Sequence, residues 1–313
     1  MPGLTRHGWR GLPGVAAGLL LSAALLFMAM ALHAQGSPPT ARRFALSLVQ
    51  GAAWSPTPIE VHRGLILFRA VLNGRDATVL LDNGAANSFV DRRFVDPSGT
   101  APRGAPYVAS TGAGVLRGHA VDGVTLTVPN QLDIKGTLIA LDLAPFSRIV
   151  GRPIDAVLGA DALDQLAVMI RPADRTLYLT ASGKMTPRSG AKAFSLPMSA
   201  AGRISAQIND EPVLLAVDLG SNGAIRLSDA AFARVLGPAA TNRRTAAANA
   251  DGQVRTAATA NAAFTLGPVR ANIPVAAGGV LPSGLDGRLG MAFLSKFTII
   301  LDQRQQRLTL VSR

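Results

Sequence analysis

Two short segments of this chain each place an aspartate at the end of an apolar run and a glycine two residues later. They are Leu80-Leu81-Asp82-Asn83-Gly84-Ala85 and Ala216-Val217-Asp218-Leu219-Gly220-Ser221. A single Asp-x-Gly usually marks a surface turn. Here each aspartate follows four strand-like residues, Thr78 to Leu81 and Leu214 to Val217, so its carboxylate emerges where a buried strand ends. One carboxylate from each of two equivalent units makes a facing pair. Two carboxylates a few ångströms apart cannot both ionise easily and share a proton, so one accepts a proton from water while the other donates to a carbonyl. The candidate catalytic residues are therefore Asp82 and Asp218. Their loops, Asn83-Gly84-Ala85 and Leu219-Gly220-Ser221, are the candidate supports, with Gly84 and Gly220 letting the two backbones approach each other.

The elements around these loops repeat as well. Asn73-Gly74 and Asn209-Asp210 each precede their aspartate by nine residues, and Asn73-Gly74 between apolar runs predicts a hairpin with a type I′ turn. Downstream by 77 and 72 residues come Gly159 and Gly290, within segments that align without gaps, Asp155 to Leu163 on Asp286 to Leu294. Short apolar runs broken by Gly and Pro recur between Val121 and Val311, and helical patterns are short: Arg92 to Phe94, Ala160 to Leu166, Ser228 to Leu236 and Met291 to Phe297. The chain reads as mostly β with a few short helices. It divides into an N-terminal segment (1–34), a linker (35–57), a first lobe (58–182), an inter-lobe linker (183–193) and a second lobe (194–313). Asp155, Asp161 and Asp286 read as caps and loop residues.

Taken together, these segments resemble the aspartic peptidases, in particular the retropepsin-like branch found in bacterial envelope proteins, with its apolar-apolar-Asp-Thr/Ser-Gly-Ala/Ser/Thr hallmark. The family's second hallmark, two apolar residues and a glycine passing under the catalytic loop, is matched by Val157-Leu158-Gly159 and, with a charge at its first position, by Arg288-Leu289-Gly290. The resemblance covers about Ile59 to Leu310. It implies a two-lobed aspartic-protease-like fold, two related β-barrel-like lobes around a substrate cleft, and an endopeptidase that needs no cofactor and no metal. It also implies a flap, for which Ser110 to Val115 and Asn249 to Gln253 are candidates. In that family a hydroxyl after each catalytic aspartate bonds across to the opposite loop. Asn83 offers an amide there, whereas Leu219 offers no side-chain donor. Ser221 matches a hydroxyl that the family uses to support its own aspartate, and Ala85 matches the retropepsin form. The alternative is a catalytically impaired relative that holds extended peptides without cleaving them.

Composition narrows the other classes. The 313 residues contain no cysteine, which excludes disulfides and thiolate chemistry. The net charge of +12 is carried by scattered Lys and Arg, with only 5% aromatic residues and no basic run interleaved with them, so nucleic acid is not the expected partner. Val15 to Leu32 is apolar behind Arg6 and Arg10, the layout of a secretory signal or of an uncleaved membrane anchor. The expectation is a secreted or periplasmic protein, a monomer because one chain supplies both lobes, acting on a peptide or protein. His62 and His119 are isolated, and neither a Gly-x-Ser-x-Gly nor a His-Glu-x-x-His motif occurs.

Overall fold

The computed structural model describes residues 44–51, 55–95, 106–111, 114–237, 240, 244–248, 254–278 and 281–312. The N-terminal segment 1–34 lies outside them. Among the described residues no helix is long and apolar enough to cross a membrane.

The architecture is mostly β. The first half contributes β1 (Phe44–Leu48), β2 (Thr57–His62), β3 (Leu65–Leu72), β4 (Arg75–Leu81), β5 (Phe89–Asp91), β6 (Pro106–Thr111), β7 (Gly114–Val128), β8 (Leu132–Leu141), β9 (Ala156–Leu158), β10 (Leu166–Arg171) and β11 (Thr176–Ala181). The second half contributes β12 (Ala193–Pro197), β13 (Arg203–Ile208), β14 (Glu211–Val217), β15 (Ile225–Leu227), β16 (Arg244–Ala248), β17 (Val254–Leu266), β18 (Val269–Ala277), β19 (Gly287–Leu289), β20 (Thr298–Asp302) and β21 (Arg307–Val311). Among the described residues four short α-helices intervene, α1 (Ala144–Val150), α2 (Ala160–Leu163), α3 (Asp229–Leu236) and α4 (Met291–Leu294), with a 3-10 turn at Arg92–Phe94.

The sequence repeat becomes a repeat of topology. Strands run in the order β3-β4-β9-β5-β8-β7-β6 in one sheet and β13-β14-β19-β15-β18-β17-β16 in the other, closed by β3–β7 and β13–β17 pairings. Closure removes sheet edges that would otherwise present unpaired backbone groups. The hairpin turns explain the repeated Asn. Asn73 and Gly74 both have positive φ (50° and 77°), as do Asn209 and Asp210 (49° and 66°), which is the conformation a type I′ turn demands. Each Asn side chain also ties its turn to the barrel wall: Asn73 Oδ1 accepts from Thr125 N (2.8 Å) and Asn209 Oδ1 from Ala263 N (3.1 Å). Asp155 and Asp286 play matched structural parts, accepting from Thr78 N (2.9 Å) and Leu214 N (2.8 Å) beside the strands that lead to the aspartates.

Three features depart from the sequence reading. Phe44–Leu48, within the segment read as a linker, forms β1 along β8. Strands β12, β21 and β20 of the C-terminal part join β10 and β11 in the 14-stranded sheet, so the two sheets do not divide at residues 183–193. After β8 ends at Leu141, the apolar stretch that follows forms α1, which the sequence reading does not foresee; it has a proline in its first turn and ends at Gly151 in the left-handed region (φ 75°). One apolar core, from Phe44 to Leu310, runs through both closed units.

Candidate active site

The aspartates sit where the sequence reading placed them, and equivalent backbone bonds hold them. β4 runs parallel to β9 and β14 parallel to β19. Asp82 N donates to Leu158 O (3.1 Å) and Asp218 N to Leu289 O (2.9 Å). Beneath each loop passes the downstream glycine. A Cβ on Gly159 would overlap the Asn87 carbonyl, and one on Gly290 would lie 2.5 Å from Gly223 O and 2.7 Å from Ser221 O, so only glycine fits. The chain then turns into a short helix whose first amide bonds up to the loop: Ala160 N to Ala85 O (2.8 Å) and Met291 N to Ser221 O (2.7 Å).

The two loops face each other closely. A Cβ on Gly84 would lie 2.6 Å from Asp218 Oδ1, and one on Gly220 would overlap the Asp82 carboxylate. Each carboxylate therefore rests against the backbone of the opposite loop. Asn83 crosses the gap with both ends of its amide, donating through Nδ2 to Val217 O (2.9 Å) and accepting at Oδ1 from Leu219 N (2.7 Å). Leu219 itself is fully buried and contributes only backbone to the link. Ser221 differs from its expected role. Among the described residues its hydroxyl has no hydrogen bond to Asp218. It packs against Gly290 instead, and Asp218 Oδ1 is supported by Gly220 N (3.0 Å). Ala85 acts through its amide, which joins Gly84 N in donating to Asp82 Oδ1 (3.2 and 2.8 Å).

The electrostatics are unequal. Asp82 is fully buried, and among the described residues its Oδ2 has no hydrogen-bond partner. Burial first, and then the Asp218 charge, push its carboxyl up to about 8, against the opposing pull of Arg288 and the two loop amides. Asp218 is 3% exposed and ion-paired through Oδ2 to Arg288 Nη1 at 2.7 Å, a bond closed off from solvent on both sides. Arg226 stands directly across from Arg288 in the β15–β19 register. Burial and the neighbouring Arg288 both lower its basicity, with Asp218 acting the other way.

Neither arginine was singled out as functional by the sequence reading. The available signal was Arg288 itself, a charge where the first copy has Val157 in the middle of an apolar strand. Strands β6 and β7 form a hairpin pairing Thr111 with Gly114, and the tip of this flap candidate, Gly112-Ala113, lies outside the described residues. Tyr107 anchors the hairpin to the first loop, its hydroxyl accepting from Asn87 Nδ2 (2.9 Å) and its ring 6.1 Å from Phe89. The second flap candidate, Asn249 to Gln253, lies wholly outside the described residues. Comparison with protein-family models and with curated proteins finds no match for this chain.

Proposed function

We propose that this chain is an aspartic endopeptidase with a two-lobed, pepsin- and retropepsin-like fold, in which Asp82 and Asp218 activate a water in the cleft between the lobes. The observation that carries the reading is the mutual approach of the two loops, each carboxylate lying against the other loop's glycine. A turn aspartate on a surface would have no reason to be paired in this way.

The Arg288 ion pair divides the labour between the carboxylates. Asp218, ion-paired to Arg288, is the general base that takes a proton from water. Asp82, protonated up to about pH 8, is the acid, and its unbonded Oδ2 is the oxygen that gives the proton to the scissile carbonyl. Water oxygen bonds to the carbonyl carbon and a neutral gem-diol forms. On collapse, Asp82 recovers a proton from one hydroxyl, Asp218 passes its proton to the amine, and the C–N bond breaks. Asn83 holds the two loops in register, a condition for catalysis because small misplacements cost orders of magnitude in rate. The substrate is a peptide or protein met outside the cytoplasm by a secreted, periplasmic or N-terminally anchored monomer, since one chain supplies both carboxylates.

The buried Asp218–Arg288 pair and the silent Leu219 side chain support a second reading, a protein that binds extended peptides without cleaving them. Hydrolysis of a mixed peptide library from acid to neutral pH, beside Asp82→Asn and Asp218→Asn, separates the two. Cleavage abolished in both variants is the expected result. An inert wild type that still binds peptides would establish the second reading.

A further inference from the structure

The two closed units differ in the row of residues that leads to their aspartates. In the first, Leu80, Val157 and Phe89 are register neighbours across β4, β9 and β5. All three are buried and belong to an apolar cluster with Leu143, Phe146 and Val150, so α1 caps this face. The same row in the second unit, across β14, β19 and β15, reads Ala216, Arg288 and Arg226. No helix corresponding to α1 is found among the described residues between Ala277 and Gly287. Two guanidinium-bearing residues and a methyl thus replace a leucine, a valine and a phenylalanine on the face that leads to Asp218.

The charges on this face do not balance. Arg288 is matched by Asp218. Arg226 is half-buried, and no hydrogen-bond or ion-pair partner for it is found among the described residues. Asp82 in its protonated form contributes no charge, so the site as a whole carries an excess positive charge. A cation drawn out of water without a counter-ion is costly, and a guanidinium is the side chain best shaped to recover that cost by holding a carboxylate in two parallel hydrogen bonds.

Building on the peptidase reading, we propose that Arg226 anchors a carboxylate subsite beside Asp218, so that the preferred substrates carry a carboxylate next to the scissile bond on the side lying over β15 and β19. An acidic side chain and the free C-terminus of the substrate both supply that chemistry.

The test compares matched peptides. One set differs only in Glu against Gln at each position flanking the cleaved bond, and the other only in a free acid against an amide at the C-terminus. Affinity is read by fluorescence anisotropy on Asp82→Asn protein, which keeps the neutral form of that residue without turnover, and kcat/KM is read on the wild type. The expected result is a preference of about tenfold to a hundredfold for the carboxylate member of one set, expressed in KM. It should vanish in Arg226→Met and return in part in Arg226→Lys. Which set shows the preference identifies the source. Equal binding of both members in both sets, or a preference that survives Arg226→Met, overturns the subsite. Selective binding that depends on Arg226 without any hydrolysis upholds the subsite and overturns the peptidase reading instead.

Discussion

Asp82 and Asp218 are chemically the same residue in two copies of the same loop, yet their surroundings differ, and on the proposed reading one serves as the acid and the other as the base. Burial and the neighbouring charge keep the Asp82 proton on, whereas Asp218 lies 2.7 Å from the Arg288 guanidinium. If the proposed peptidase reading holds, hydrolysis should persist to neutral pH and fall as pH rises through about 8, when Asp82 loses its proton, and a kcat/KM profile checks this. The same group links stability to pH. Its folded-state value lies above the ordinary 3.8, so the native protein holds a proton that the unfolded chain has released, and stability declines between about pH 4 and pH 8. The slope reaches at most about 1.4 kcal/mol per pH unit. Thermal melts of Asp82→Asn should lack this decline. Arg288→Val restores the residue type of the first copy but leaves the buried Asp218 carboxyl without its ion-pair partner, which should cost about 3–5 kcal/mol at neutral pH by denaturant titration.

At the level of elements, the site is two strand-to-loop transitions clamped together. Asn83 is the side chain that spans them, and its two bonds satisfy a carbonyl and an amide at the base of the opposite loop. Asn83→Leu strands both groups, with an expected loss of about 2–4 kcal/mol and a fall in kcat larger than any change in KM, measured by urea unfolding and steady-state kinetics. Gly84→Ala and Gly220→Ala push a methyl into the opposite carboxylate, since neither site has room for a Cβ. Both should abolish hydrolysis and destabilise by about 1–3 kcal/mol. The paired strands and loops were largely legible in the sequence: alternating apolar runs, Asn-Gly chemistry and the spacing to each Asp follow local rules. Helix α1 was not, because its residues continue an apolar strand run and only Pro145 hints at a new start.

For the whole molecule, the repeat suggests two separable bodies, but the hydrogen bonding does not separate them. β20 pairs with β10, from Ala167 opposite Asp302 to Ile170 opposite Ile299, and β21 carries β12 on its far side. The C-terminal strands are thereby part of the sheet that begins in the first half, and a common apolar core runs beneath. Calorimetry should show a single cooperative transition for the full chain. A fragment ending at residue 297 should fail to fold, because it exposes the β10 edge and the apolar face of Met169 that packs on Ile300 and Val311.

The sequence alone determined what is local or duplicated. It located both aspartates, their glycines, the Asn turns and the mostly-β character, because strand periodicity and turn stereochemistry act over a few residues and a repeat shows itself at any distance. The tertiary structure decided what depends on neighbours remote in the chain. Asn83 bonding across 134 residues to Val217, Ser221 turning to Gly290 and the C-terminal strands joining the first sheet all depend on such neighbours. So does the pairing of Arg288 with Asp218, which converts an unpromising charge inside an apolar strand into the group that sets the two carboxylates apart. Electrostatic roles arise from burial and from distances of a few ångströms, and both come into being only when the two copies close on each other.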